Sequence, residues 1–363
     1  MTNKHIIMLG PSKGSKGGIS SVIQLYDDIG LFEKFNISFK STFNDKSKLA
    51  KITSFVSTFI YLLIKLIRRD VSLVHIHTAS RTSFFRKSLF LWLSFIFRTP
   101  VIMHIHSGEF LEFYAEVSTV KQKYIKCTLM HAKKIILLTE GWKSKFSGII
   151  KDEKKLTVLA NPVDSNLFKK TSSKKTNADK KSVVNLLFLG KVCEKKGIYD
   201  LIKAIKKVSD NNIKIQLYYG GHGEIESVKH LAKSLDIENI IHYLGWVTNS
   251  NKIQAYQNAD IFILPSYHEG QPMTILEAMA AGCTIISTTV GGIPETVINN
   301  KEALLYKAGN INALANYIAQ LASIPQIRLR LADAAMTRLN NSFSSDILYK
   351  NLKEIYHDTT NRQ

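Results

Sequence analysis

Two glutamates and two lysines in the second half of this 363-residue chain have types and spacing suited to chemistry on a charged ligand. Glu269 and Glu277 are eight residues apart, and ionised carboxylates are strong acceptors for paired hydroxyl groups. Lys191 and Lys196 follow an apolar segment and can neutralise phosphate charge. Any one of the four could be an ordinary surface charge. Together they favour a ligand that carries both phosphate and hydroxyl groups.

The segment around the glutamates predicts a strand, a loop and a helix that would hold them. An apolar strand over residues 261–264 is followed by a polar loop. Pro272 marks the expected first position of a helix, where a missing N–H group costs nothing, and Gly282 is a natural stop. The loop would direct backbone N–H groups and the positive helix end toward a ligand, which predicts an anion site. The candidate binding residues are Glu269, Gly270, Gln271, Pro272, Met273, Thr274 and Glu277.

The spacing of Glu269 and Glu277 resembles the Glu-x7-Glu signature of the retaining glycosyltransferases of family 4, the glycosyl transferases group 1. The resemblance implies the GT-B fold, an α/β fold in which two doubly wound, Rossmann-like parallel-sheet domains face each other. It implies that Glu269 contacts the hydroxyl groups of a donor sugar and that Glu277 holds the ribose of its nucleotide. The donor would be a nucleoside-diphosphate sugar, and the product would retain the anomeric configuration.

A second match to this family is the loop that runs from Gly190 to Lys196. Family members usually carry Gly, Arg and then Lys-Gly after a strand, and the two cations grip the donor diphosphate. Gly190 and Lys196 fit this pattern, but Lys191 stands where arginine is usual. Lysine keeps the charge and lacks the planar fork of arginine. We therefore expect neutralisation of the phosphates rather than bidentate binding.

Two features of the first half match the family by position. The glycine-rich loop of residues 10–19 fits neither the dinucleotide-binding nor the Walker A spacing. The resemblance implies that Gly17 and Gly18 bring the backbone close to the donor phosphate, which only glycine permits. It also implies a histidine near a glycine at the reaction centre, and His106 fits better than His104. The expected catalytic residues are His106, Lys196 and Glu269.

The histidines are weak candidates for a metal site. His104 and His106 have a suggestive spacing, but no third ligand at a suitable spacing is evident. We expect His75 and His77 to point to opposite faces of their strand, which would keep them from sharing an ion. The sequence contains no Asp-x-Asp motif. It therefore predicts no metal, and no cofactor besides the donor substrate.

Length and composition indicate two globular domains, since 363 residues exceed one ordinary core and 45% of them are hydrophobic. Apolar strand patterns alternate with helical patterns, which is typical of parallel sheets covered on both faces. Three distant cysteines favour reduced thiols over a disulfide framework. The expected parts are an acceptor-side domain (1–168), a basic linker (169–182), a nucleotide-sugar-binding domain (183–345) and a C-terminal helix (346–363) that packs near the first domain.

The net charge of +20 predicts an anionic partner, which could be anionic lipid, a lipid-phosphate acceptor, nucleic acid or nucleotide phosphate. Residues 55–67 and 89–97 are strongly apolar but shorter than the roughly 20 residues that span a bilayer. They are expected as core helices or, since basic residues flank both, as an interfacial face. No secretory signal pattern is found. We expect a cytoplasmic location, at the inner face of the cytoplasmic membrane under the second interpretation.

The sequence therefore resembles a retaining glycosyltransferase that acts on a glycan or lipid-linked glycan in bacterial-type surface polysaccharide assembly, such as that of capsule, O-antigen or exopolysaccharide. The expected partners are the nucleotide-sugar donor, this acceptor and anionic membrane, without nucleic acid. Two alternatives stay open. One is a sugar-nucleotide epimerase of the same fold, which would change the donor without an acceptor. The other is a basic protein that binds nucleic acid or an anionic surface without turnover.

Overall fold

Parallel strands alternate with helices in residues 5–44, 47–168 and 183–360, which are the residues that the structure, a computed structural model, describes. Contacts divide the chain into two units, each with its own six-stranded sheet. The first comprises Met1–Pro162 and Ser345–Gln363, and the second comprises Val163–Ser344. The predicted linker, residues 169–182, lies outside the described residues. The predicted α/β class with two parallel Rossmann-like sheets is confirmed.

The first unit has the strand order β2-β1-β3-β4-β5-β6, with all strands parallel. These strands are β1 (Ile6–Pro11), β2 (Ile37–Phe43), β3 (Leu73–Thr78), β4 (Val101–Ile105), β5 (Lys134–Leu137) and β6 (Leu156–Val158). Because side chains alternate along a strand, the two faces of this sheet differ. One face carries Val74, Ile76 and Met103, which belong to the hydrophobic core. The opposite face carries His75 and His77.

Helices cover both faces of this sheet. They are α1 (Gly18–Asp28), α2 (Leu31–Lys34), α3 (Lys48–Ile67), α4 (Thr82–Ile96), α5 (Phe110–Glu116), α6 (Thr119–His131), α7 (Glu140–Ser147) and α15 (Ser345–Thr360). The last of these, α15, buries Leu348, Leu352 and Tyr356 in the first unit. The Tyr356 ring lies 5.7 Å from the ring of His75. Helix α15 therefore covers the face that bears the histidines.

The second unit has the strand order β12-β11-β10-β7-β8-β9, again with all strands parallel. These strands are β7 (Val184–Leu189), β8 (Ile215–Gly220), β9 (Ile241–Tyr243), β10 (Ile261–Leu264), β11 (Thr284–Thr288) and β12 (Ala303–Tyr306). The helices are α8 (Ile198–Asp210), α9 (Ile225–Ser234), α10 (Asn249–Asn258), α11 (Met273–Ala280), α12 (Ile293–Thr296), α13 (Ile311–Ser323) and α14 (Pro325–Ser342). Since β10 lies between β11 and β7, the loops after these three strands leave the sheet at one edge.

Candidate functional site

The loops that follow β7, β10 and β11 meet at the carboxyl edge of the second sheet. The backbone N–H of Tyr267 donates to the carbonyl oxygen of Lys195 at 2.9 Å, which joins the β10 loop to the β7 loop. The N–H of Gly292 donates to the carbonyl oxygen of Gly270 at 2.9 Å, which joins the β11 loop to the β10 loop. The three loops therefore form one continuous surface at the edge where such sheets bind ligands.

Lys196 and Glu269 form an ion pair at this junction, with 2.5 Å between Nζ and Oε1. The Glu269 side chain is only 9% exposed, and the Lys196 side chain is 29% exposed. Partial burial makes their attraction less screened than that of a surface pair. The structure thus brings together two of the residues that the sequence singles out. One ligand could contact both, with an anionic group on Lys196 and hydroxyl groups on Glu269.

Two glycines permit the close approach of these loops. Gly197 has a φ of +72°, and a Cβ atom there would lie 2.0 Å from the carbonyl oxygen of Pro265. Gly291 has a φ of +55°, and a Cβ atom there would lie 1.7 Å from the carbonyl oxygen of Glu269. Both distances are far below van der Waals contact, so a side chain at either position would displace the β10 loop. Because Glu269 lies on that loop, the two glycines fix the place of its carboxylate.

The helix after this loop, α11, begins at Met273, one residue later than the sequence predicts. Pro272 is the N-cap residue, with a φ of −72° and a ψ of 121°, and not the first helical residue. The extended ψ of an N-cap and the fixed φ of proline are compatible, which explains the difference. Gln271 is buried and Thr274 is partly exposed. The first-turn amides of α11 therefore come directly after the loop that carries Glu269 and Gly270, as an anion site requires.

Glu277 is held by two residues that the sequence analysis did not identify. Its Oε1 accepts a hydrogen bond from Nζ of Lys252 at 2.5 Å, and its Oε2 accepts one from the hydroxyl of Tyr256 at 2.9 Å. Lys252 and Tyr256 are four residues apart on α10 and share a face, which is the signal that could have found them. Burial and the nearby Glu277 raise the pKa of Tyr256 well above its usual value. The Glu277 carboxylate is thus fixed in place, with lone pairs left for a ligand.

The predicted residues Gly190 and Lys191 lie at the start of the β7 loop. The N–H of Gly190 donates to the carbonyl oxygen of Gly220 at 3.1 Å. A Cβ atom at Gly221 would lie 1.7 Å from the carbonyl oxygen of Gly190, so the turn after β8 packs directly on this glycine. The side chain of Lys191 is exposed. Its charge is therefore accessible to an anion that arrives from solvent.

The predicted glycines of the first half, Gly17 and Gly18, lie at the start of α1 in the first unit. Gly17 has a φ of +147°, which favours glycine. A Cβ atom at either position would meet nothing within 4 Å, so packing among the described residues does not require these glycines. Their proposed contact with a donor phosphate stays a prediction.

Four histidines lie together in the first unit, and their arrangement corrects one expectation from the sequence. His75 and His77 have ring centroids 4.5 Å apart, because residues two apart on a strand share a face. The expectation that they point to opposite faces was wrong. Nε2 of His75 lies 3.3 Å from Nδ1 of His104, and Nδ1 of His75 lies 2.8 Å from the hydroxyl of Tyr356. Nδ1 of His77 lies 2.9 Å from Nε2 of His106.

Burial keeps these histidines neutral. It lowers the pKa of His75 to about 3, and burial with the nearby His75 and Lys87 lowers the pKa of His106 to about 3. The pKa values of His77 and His104 are also well below the usual value, first through burial and then through neighbouring histidines. A neutral imidazole has one donor and one acceptor nitrogen. Nε2 of His106 is engaged by His77, so any further contact of the His106 ring would involve Nδ1.

By distance alone, the histidine cluster could also hold a metal ion. One nitrogen from each of His75, His77 and His104 lies within 4.8 Å of the other two. Among the described residues, Nε2 of His77 and Nε2 of His104 have no hydrogen-bond partner. Three neutral histidines can bind a zinc ion, but the positive charge of the nearby Lys87 would oppose a buried divalent ion there. That the protein needs no metal stays a prediction. The sequence argument that no third ligand is at hand no longer supports it, because His75, His77 and His104 lie together.

Comparison with known proteins links this geometry to one family. Residues 168–338 match the family model described as glycosyl transferases group 1, which spans the segment from before β7 to within α14. The chain is 26% identical over 240 residues to a capsular polysaccharide biosynthesis glycosyltransferase of Staphylococcus aureus. That match covers 64% of this chain and 63% of the relative, so the chain spans less than two thirds of the length of the relative.

Solved structures show the same fold across nearly the whole chain. Sucrose-phosphate synthase from Thermosynechococcus elongatus has a TM-score of 0.78 at 17% identity, covering 98% of this chain and 99% of its own. The Anabaena protein HepE, solved in complex with UDP, has a TM-score of 0.76 at 17% identity, covering 98% and 100%. At such identities the likeness establishes the fold alone, and this fold is the GT-B type that the sequence predicts.

A first prediction concerns the contact between Gly291 and Glu269. We expect Gly291→Ala to lower the free energy of unfolding of the second unit more than Gly245→Ala does. Both glycines have positive φ, but only at Gly291 does a Cβ atom meet the backbone. The strain of positive φ costs about 1–2 kcal/mol at either position. Urea denaturation of the two variants makes the comparison, and equal losses would show that the loops adjust without cost.

A second prediction concerns the neutral histidines. Because their pKa values are lowered in the folded state, the unfolded chain binds more protons below about pH 6.5. Stability therefore falls as the pH drops from 7.5 to 5.5, by about 1.4 kcal/mol for each such histidine. We expect His75→Phe to reduce this loss by that amount in urea denaturation at both pH values. The exposed His230, changed to Gln, is the control, and an unchanged pH dependence in His75→Phe would contradict the assignment.

Proposed function

We propose that this chain, whose residues 168–338 match the glycosyl transferases group 1 family model, transfers a sugar from a nucleoside-diphosphate sugar to an acceptor with retention of the anomeric configuration. The observation that carries the proposal is the Lys196–Glu269 ion pair beside the first turn of α11. It combines a cation, a hydroxyl-accepting carboxylate and helix amides within one loop surface. A sugar linked to a diphosphate needs these three kinds of partner.

In the proposed reaction, Lys196, Lys191 and the first-turn amides of α11 stabilise the diphosphate as it leaves. Such preorganised groups act on charge that develops in the transition state, and removing a single donor commonly costs about 3–4 kcal/mol. Glu269 would accept hydrogen bonds from the donor sugar. Glu277, already oriented by Lys252 and Tyr256, would accept them from the ribose.

We propose front-face attack by the acceptor hydroxyl, whose proton passes to the leaving phosphate. The departing phosphate oxygen is thus both leaving group and base, and no covalent sugar–protein bond is formed. His106 would lie near the sugar and acceptor and would contact them through Nδ1, because its Nε2 is engaged by His77. Positive charge from lysines and helix amides would take the place of a divalent ion, so the reaction is proposed to need no metal.

For the acceptor we propose a glycan or lipid-linked glycan in surface polysaccharide assembly. The support is the similarity to the Staphylococcus aureus capsular polysaccharide biosynthesis glycosyltransferase, together with the basic charge of the chain, which suits an acceptor that carries lipid phosphate.

A third prediction tests the site. We expect Lys196→Ala and Glu269→Ala each to reduce kcat/KM by about 10²–10³, because each removes a group aimed at the transition state. Glu277→Ala should act mainly by raising the KM for the donor. The matched control is Lys206→Ala, which removes a surface ion pair with Asp210 of 2.8 Å and should leave activity unchanged. Donor turnover is measured on a panel of nucleotide sugars, chosen by the thermal stabilisation that each one gives.

Three results would contradict the proposal. Near wild-type transfer by all three site variants would remove the site assignment. Conversion of the donor sugar into its epimer in the absence of any acceptor would identify an epimerase instead. Salt-sensitive binding of nucleic acid without stabilisation by any nucleotide sugar would favour a binding protein.

A further inference from the structure

The helix α3 is apolar on two opposite faces, but only one of them is packed. Leu62 and Leu66 are buried in the core of the first unit. On the same side, the hydroxyls of Ser54 and Thr58 donate to the carbonyl oxygen of Ser41 at 2.9 and 2.6 Å. These bonds attach the helix to the edge strand β2. In soluble proteins a helix with apolar residues all round is normally covered all round.

The opposite face of α3 is an exposed apolar stripe. Its residues recur every three or four positions, so they lie on one side of the helix over its full length. Each is between 44% and 70% exposed. The stripe consists of Leu49, Ile52, Val56, Ile60, Ile64 and Ile67. A continuous stripe of this kind indicates an interaction surface rather than scattered surface hydrophobes.

The charges around the stripe select the kind of partner. The helix contains no aspartate or glutamate. Arg68 and Arg69 are exposed directly after its end, whereas Lys51 near its start is turned toward β2, with Nζ 5.3 Å from the centroid of the Phe43 ring. An apolar stripe on a helix without acidic residues, with two exposed arginines directly after it, is the pattern of a helix that lies in the interface of an anionic bilayer.

Length and composition alone would also allow residues 49–67 to cross a membrane, since only 17% of this window is buried. The packed face argues against crossing. A spanning α3 would have to leave β2, which would break the bonds from Ser54 and Thr58 to Ser41 and expose Leu62 and Leu66. A helix that lies flat keeps all of these contacts and buries the stripe as well.

We propose that the exposed stripe of α3 docks onto the surface of an anionic phospholipid bilayer, with the helix axis parallel to the membrane plane. Arg68 and Arg69 contact lipid phosphates, and the six aliphatic side chains enter the region between head groups and acyl chains. This inference stands independently of the reaction at the second unit. It would place the protein at a membrane face, where a lipid-linked acceptor is found.

A fourth prediction tests this surface in the full-length protein with sedimented vesicles. We expect binding to vesicles of phosphatidylcholine with phosphatidylglycerol, weaker binding to phosphatidylcholine alone, and a decrease with salt. The double variant Ile52→Glu/Ile60→Glu should lower the affinity at least about tenfold, because two charges would enter the apolar layer. Leu329→Glu, which changes an apolar residue on α14 of the second unit that is 44% exposed, should bind as wild type.

A second measurement tests the depth of insertion. Val56→Trp should show a blue-shifted emission and quenching by brominated lipid, and Leu329→Trp should show neither. Circular dichroism and the melting temperature establish that each variant is folded. Unchanged vesicle binding of the glutamate double variant would overturn the proposal. The proposal would also be overturned if the wild type did not bind vesicles and light scattering showed that it is a dimer which the double variant breaks. The stripe would then join two copies of the chain.

Discussion

The candidate site depends on how closely the backbone of one loop approaches another. At Gly291 the chain comes so near to the carbonyl oxygen of Glu269 that not even a methyl group fits between them. At Gly197 the chain likewise lies too close to the carbonyl oxygen of Pro265 for a methyl group to fit. The loop between these two contacts carries Glu269, and its carboxylate therefore meets Lys196 at a fixed point. The electrostatics of the site follow from this backbone geometry.

The position of Glu277 is also fixed by neighbouring residues. Its carboxylate is oriented before any ligand arrives, because Lys252 and Tyr256 on α10 donate to its two oxygens. A carboxylate that is already oriented loses little conformational entropy when a ligand binds. The two glutamates of the motif thus differ in their surroundings: Glu269 is paired with a lysine of a strand-end loop, and Glu277 is clamped from a neighbouring helix.

The sequence was sufficient for the parts in which local pattern and structure agree. The strand, loop and helix around Glu269, and the stop at Gly282, follow from apolar runs, proline and glycine. The contacts of Lys252 and Tyr256 with Glu277 could not be predicted, because a spacing of four on a helix indicates a shared face but not which residues pack against that face. The edge strand β2 is harder to predict from the sequence, because it mixes apolar with polar residues and lacks the continuous apolar run of a central strand.

The contacts of the histidines and of α3 depend on tertiary packing, which the local sequence pattern does not determine. Alternation along β3 puts His75 and His77 on one face, but only the parallel pairing with β4 brings His104 beside them. For α3 the sequence shows that the helix is apolar and cannot show which side a neighbour covers. Coverage depends on packing, and packing is decided by residues far away in the chain.

The position of α15 has a consequence for how the protein is made. This helix comprises the last described residues of the chain, yet it packs into the first unit, where Tyr356 contacts His75. During translation the first 162 residues leave the ribosome long before α15 does. One face of the sheet of the first unit therefore stays incomplete until α15 has been synthesised. A chain released before α15 is synthesised, even one that contains the whole second unit, therefore has an incompletely packed first unit.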